Sequence, residues 1–351
     1  MYKKILVAID GSPGSLIAGS LALKIANETG GTIYAANVFD AQIHTRRFNE
    51  MESILPGQYR EEDSEEQLRE VHGVWTNEGF LALSKKRVAP YLEICRQAGF
   101  DRIEEINKQG RNYVEIISAA EEIGADLIVM GASGLGTVNG ELGSTATRVL
   151  RMASCDVLLA RKEIEDGKIV VGIDGSDEAI AALERAEVWS NALKKEISLG
   201  AVYDPFFHNK VLESLEDASS AYETSYHSEI YKAVEEHGDA DNYGAHGGAS
   251  HTATEVKEED DSEGHDQMVD EGLARLYESF LGKASERTSL DPETQLLKGK
   301  PYQQLAEFAN QANATLVAVG RNGLHKTEVS NIGSNAEGLA RLSHTNVLVI
   351  R

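Results

Sequence analysis

Two apolar patterns alternate along the chain. Lys4 to Ile9, Thr32 to Val38, Asp126 to Met130 and Asp156 to Ala160 are short runs dominated by apolar and β-branched residues. Such runs read as strands buried on both faces of a parallel sheet. Between them the spacing is helical: Leu16, Ala18, Leu21, Ala22 and Ile25 share a face within Ser15 to Asn27, which Gly30-Gly31 ends. Trp75 to Gln97, Asn112 to Ile123 and Ser144 to Met152 are further helix candidates, and Ile103 to Asn107 is a more polar strand. Strand and helix in strict alternation predict an α/β fold with right-handed crossovers.

The series then restarts. Lys168 to Ile173 followed by Asp174-Gly175-Ser176 repeats the first strand with Asp10-Gly11-Ser12, 164 positions on (174 − 10). Val202-Tyr203-Asp204 repeats Val38-Phe39-Asp40 at the same offset, and Gly320 repeats Gly131 at 189 (320 − 131). A repeat this long means duplication of a whole domain. The expected division is 1–162 and 163–351. Each half carries an insertion after its second strand, about 41–73 and about 205–265. Phe48, Met51, Ile54 and Leu55, and likewise Val211, Leu212 and Leu215, predict a helix in each. Residues 239–266, with Gly247-Gly248 and Glu258-Glu259-Asp260-Asp261, hold too few apolar residues to bury a core, so this acidic segment is expected to be mobile.

Most of the candidate chemistry sits where the fourth strand of each half stops. Met130-Gly131 leads through Gly134 to Gly143-Ser144-Thr145, and Val319-Gly320 leads through Gly323 to Gly333-Ser334-Asn335. Glycines at a strand's carboxyl end let the backbone turn and approach a ligand closely. Gly-Ser at a helix start offers unpaired N–H groups and a hydroxyl to an anion. This arrangement resembles the universal stress protein family, whose nucleotide loop runs glycine, two residues, glycine, nine residues, Gly-Ser/Thr. The second copy keeps that spacing, with Leu324 to Ile332 between the glycines; the first is one residue shorter, Leu135 to Leu142, with Gly136 and Gly140 to ease it.

The resemblance implies two tandem Rossmann-like or flavodoxin-like domains forming a pseudo-dimer. It also implies an adenine nucleotide, ATP above all, with Mg accompanying it. Asp10 and Asp174 would serve the nucleoside, unless they merely cap the following turn. Main-chain groups of Val38 and Val202 would meet the adenine edge. The ribose would lie near Met130-Gly131 and Val319-Gly320. Phosphates would meet Gly134, Gly143, Ser144 and Thr145 in one half, and Gly323, Gly333, Ser334 and Asn335 in the other. The family's last strands pair between domains, so Asp156 to Ala160 and Asn346 to Ile350, edges that need covering, are expected to pair within this chain. The insertions are left as the surface for a protein partner or further self-assembly.

Composition narrows the alternatives. A formal charge of −23 disfavours a nucleic-acid surface or an anionic membrane. No apolar run approaches the ~20 residues that span a bilayer. The strand that starts at Lys4 leaves no room for a signal peptide, and Cys95 and Cys155 do not make a disulfide framework. A cytoplasmic protein is expected. The loops lack the Gly-Lys-Ser/Thr ending that brings a lysine to the terminal phosphates, although Arg321 and Lys326 could reach a phosphate. Slow ATP hydrolysis is one alternative function, and no residues are assigned to catalysis. A metal- or haem-binding scaffold is another, because His44 and His72 recur as His208 and His237 and neutral imidazoles ligate zinc, copper and iron.

Overall fold

The computed structural model describes residues 1–39, 78–134, 141–206, 262–323 and 332–351. The expected insertion helices, Lys326, and His44, His72, His208 and His237 lie outside these residues.

The first half runs β1 (Lys4–Ala8), α1 (Pro13–Thr29), β2 (Thr32–Phe39), α2 (Phe80–Gln97), β3 (Ile103–Gln109), α3 (Asn112–Ile123), β4 (Leu127–Gly131), α4 (Ser144–Met152) and β5 (Asp156–Ala160). The second repeats it as β6 (Ile169–Ile173), α5 (Asp177–Leu193), β7 (Ile197–Tyr203), α6 (Ser262–Arg287), β8 (Glu293–Lys298), α7 (Pro301–Gln311), β9 (Leu316–Gly320), α8 (Ser334–Leu342) and β10 (Asn346–Ile350). Helix α6 starts earlier than the composition suggested: residues 262–266, assigned above to the mobile acidic segment, are helical. They form the amino end of a helix whose later residues Val269, Leu273, Tyr277, Leu281 and Ala284 are buried. Packing of that face carries the helix further than local propensity would.

All ten strands form one sheet in the order β3-β2-β1-β4-β5-β10-β9-β6-β7-β8. Every neighbouring pair is parallel except β5 with β10, which runs antiparallel with Leu158 opposite Leu348. The two halves therefore meet edge to edge about a pseudo-two-fold axis, and the expected pairing occurs within one chain. Both strands are buried along their whole length, so the two exposed edges that would otherwise invite aggregation are removed.

Successive strand residues point to opposite faces. Ile5 and Val7 of β1 belong to the core beneath α1, α2, α5 and α6, whereas Leu6 belongs to the core beneath α3, α4, α7 and α8. The sheet is thus covered on both sides, which is why its central strands lack polar alternation.

Polar side chains fix the junction of the halves. Asp156 accepts from Tyr2 Oη (2.8 Å), Arg185 Nε (3.2 Å) and the Arg351 amide (3.0 Å). Its counterpart Asn346 accepts from the Arg161 amide (2.7 Å) and donates to Thr315 O (2.8 Å). Burial nonetheless pushes the Asp156 carboxyl above its ordinary value, against the opposing pull of these donors.

Candidate functional site

Each half has a cavity outside the carboxyl ends of its strands, at the place where strand order reverses. The first, about 500 Å³, opens over β1 and β4; the second, about 790 Å³, opens over β6 and β9. Open α/β sheets bind ligands at this crevice. Asp10, Val38, Met130, Gly131, Gly134, Gly143, Ser144 and Thr145 all line the first cavity. Asp174, Val202, Val319, Gly320, Gly323, Gly333, Ser334 and Asn335 all line the second.

The carboxylates have two jobs. Oδ1 of Asp10 accepts from the Ser12 amide (2.8 Å), and Ser12 in turn caps α1 by accepting from the Ser15 amide (3.2 Å). Oδ1 of Asp174 accepts from the Ser176 amide (3.0 Å) and hydroxyl (2.5 Å), and Ser176 caps α5. The turn-capping alternative is therefore realised, but it occupies one carboxylate oxygen. The other, Oδ2, lies against the glycine loop. A Cβ built on Gly134 would sit 3.2 Å from Asp10 Oδ2, and one on Gly323 only 2.4 Å from Asp174 Oδ2.

The glycines that end β4 and β9 also have a packing reason. A Cβ on Gly131 would meet the Gly14 backbone at 3.1 Å, and one on Gly320 would meet the Glu178 Cβ at 2.8 Å. Helix starts press directly on strand ends here. Each loop closes on itself, with the Gly143 amide donating to Ala132 O (2.8 Å) and the Gly333 amide to Arg321 O (2.9 Å).

The loops lead to helix starts. No side chain caps α4 at Gly143 or α8 at Gly333 among the described residues. Their first-turn amides have no intrahelical acceptor and carry the positive end of the helix dipole. Ser144 and Thr145 with Ala146, and Ser334 and Asn335 with Ala336, line the cavities at these ends. Main-chain amides, a hydroxyl and an acceptor carboxylate fit the phosphate and sugar of a nucleotide.

The cavities also hold groups that sequence reasoning passed over. Arg87 of α2 lines the first, and Lys300, Tyr302, Asp204 and Glu337 line the second. Lys300 was detectable: it follows Gly299 as Arg111 follows Gly110, so both halves place a base at this strand-to-helix turn. Arg87 sits in a helix whose register against the sheet the sequence does not give.

Arg321 needs correction as a phosphate contact. Its side chain leaves the second loop for the first half, donating from one nitrogen to Ala153 O (2.6 Å) and from another to Arg151 O. Arg321 is 6% exposed, and burial, with the like charge of Arg351, lowers its guanidinium from the ordinary value. Among the described residues no cluster of three or more histidine, cysteine or acidic side chains could hold a metal, and no helix is long and apolar enough to cross a membrane.

This geometry defines a class: a duplicated α/β domain with one cleft per copy at its strand ends, joined through its last strands. The model of the universal stress protein family matches residues 1–161 and again 167–351, so the chain belongs to that family as a tandem member. A universal stress protein of Methanocaldococcus jannaschii is 34% identical over 163 residues, 46% of this chain and 84% of that protein. A protein from Staphylococcus haemolyticus named a putative universal stress protein is 27% identical over 164 residues, 46% and 86% of the two chains. The crystal structure of a universal stress protein from Archaeoglobus fulgidus aligns over 100% of this chain and 99% of its own, at 18% identity and a TM-score of 0.56, which supports the fold.

Proposed function

We propose that the chain binds an adenine nucleotide, ATP or a close relative, in these two cavities, and that occupancy is passed to a partner as a change of shape. The reading assigns one site to each of the domains 1–162 and 163–351. The observation that carries it is the coincidence, twice in one chain, of a glycine turn, an uncapped helix start and an acceptor carboxylate around one cavity.

In this reading Oδ2 of Asp10 or Asp174 takes a ribose hydroxyl or the base amine, and main-chain groups at Val38 or Val202 meet the base edge. Phosphates take the amides of Gly143 to Thr145, or of Gly333 to Asn335, with Mg sharing their charge. Phosphate contacts at Gly134, Gly143 and Ser144, and at Gly323, Gly333 and Ser334, then move α4 and α8, and the insertions after β2 and β7 pass the result to a protein partner. The reading is a binding protein, carried by main-chain amides and glycine turns around each cavity.

Calorimetric titration with ATP, ADP, AMP and cAMP tests it. Cyclic AMP is included because one solved universal stress protein is described in complex with it. Binding by at least one nucleotide, weakened by Asp10→Ala or Asp174→Ala, is expected. No heat and no thermal shift at millimolar concentrations of all four would overturn the reading.

A further inference from the structure

The halves are pseudo-symmetric, and Arg161 and Arg351 each reach a carbonyl near the end of the other half's last helix, but two contacts across the junction have no mirror image. Arg321 occupies the second loop between Gly320 and Gly323, at the position of Ala132 in the first. Its guanidinium reaches the carbonyls of Arg151 and Ala153 at the carboxyl end of α4. A cation there complements the helix-end carbonyls, of which the Ala153 one also accepts from Arg351 (2.8 Å), and the helix dipole. The amino end of the same helix carries Ser144 and Thr145 of the first cavity.

A second contact follows the same route. Glu337, in the first turn of α8, lines the second cavity. It accepts from Arg151 Nε (3.0 Å) and from a terminal nitrogen of Arg151 (2.6 Å) in the last turn of α4. Thr147 holds the matching place in α4, and its hydroxyl donates to Gly143 O of its own helix (3.0 Å). Arg341, the counterpart of Arg151, bonds to Glu337 within α8. The loop and the helix start of the second cavity thus both hold the far end of the first cavity's helix, whereas the first half reaches α8 from the end of β5, where Arg161 donates to Ala340 O (2.6 Å), and not from its own loop or helix start.

We infer that Arg321 is a positioning residue for the first cavity, coupling ligand occupancy of the second to the placement of α4. This rests on the nucleotide reading above. A ligand seated against 320–323 restrains the base of the Arg321 side chain further; that restrains the end of α4, and the amides at its start then meet an anion with less freedom left to lose. The coupling is positive, and by linkage it is the same in either direction.

The test is ATP calorimetry on the whole chain. In the wild type, the first site binds at least about fivefold more tightly with the second occupied than in a Gly323→Val chain whose second site is blocked. Arg321→Ala keeps both sites and lowers that factor to within about twofold of one. In a Gly134→Val chain, where only the second site is open, ATP slows hydrogen exchange in residues 148–153, and adding Arg321→Ala removes this protection. A role confined to holding the halves together would not move exchange in response to ligand. If Arg321→Ala does not fold, Glu337→Gln removes the charge and one of the two acceptor oxygens of the other contact, and the factor falls. Two occupied sites with unchanged first-site affinity in Gly323→Val, or unchanged coupling in both Arg321→Ala and Glu337→Gln, would overturn the inference. Absence of nucleotide binding in the wild type would instead overturn the reading it rests on.

Discussion

Replacing the second loop glycine with alanine in each half gives the two cavities different fates. Gly134→Ala places a methyl 3.2 Å from Asp10 Oδ2, whereas Gly323→Ala places one 2.4 Å from Asp174 Oδ2, inside the 3.0 Å that Cβ atoms essentially never breach. The second half must therefore open by about 0.6 Å (3.0 − 2.4). Asp174 resists, because Oδ1 is held by both the amide and the hydroxyl of Ser176, which caps α5. Overpacking of this kind costs about 1–3 kcal/mol. In the first half a shift of a few tenths of an ångström suffices, and the loss of unfolded-chain entropy returns about 0.4–1 kcal/mol. Gly134→Ala is expected within about 1 kcal/mol of wild type. Gly323→Ala is expected to lower a thermal midpoint by about 2–12 °C, at about 2–4 °C per kcal/mol. It should also weaken nucleotide binding in its own half by about tenfold or more, since 1.4 kcal/mol is a decade of affinity. Calorimetric unfolding and ATP titration of the two variants read both effects. Equal stability of the pair, or a stabilised Gly323→Ala, would refute the reasoning about Asp174.

Other sites make separate predictions. Tyr2→Phe removes a hydroxyl donor from the buried carboxylate of Asp156 and is expected to cost about 1.5–3 kcal/mol in urea unfolding; a cost near zero would show that the junction relaxes. Burial raises the Asp156 carboxyl above 3.8, so its contribution to stability is full below that pH and is lost as pH rises through the folded value. The stability of wild type relative to Asp156→Asn should therefore decline from pH 4 upward, and a difference that grows with pH would contradict the sign. The Cys155 thiol is pushed up to about 12, chiefly by burial, leaving roughly 10⁻⁴ of it as thiolate at pH 8. It should resist aromatic disulfide reagents until the chain unfolds, and rapid labelling of native protein would count against this. Lys300→Ala should weaken nucleotide binding in the second half alone, most at low salt.

Much of the fold was legible because the central strands are buried on both faces. The runs at Asp156–Ala160 and Asn346–Ile350 could be bounded from composition, as could α3, which ends at Gly124 in the left-handed region. The duplicated glycine loops were legible for a similar reason: an open turn and a close backbone approach leave few choices of residue. Side-chain direction was not. Arg321 sits in a phosphate-type loop yet turns into the other half, a destination set by how the halves pair. The start of α6 was missed because residues 262–266 are polar, and the buried face beginning at Val269 holds the helix together. Arg87 reaches its cavity through the packing of α2 against α1, where Tyr91 covers Gly19.

Native mass spectrometry of the purified chain titrated with ATP tests the doubled cleft most directly. The account predicts up to two adducts of nucleotide mass per chain, the second weakened selectively by Gly323→Ala. A chain that stays bare at millimolar ATP, or that carries only a metal or haem in their place, would contradict it.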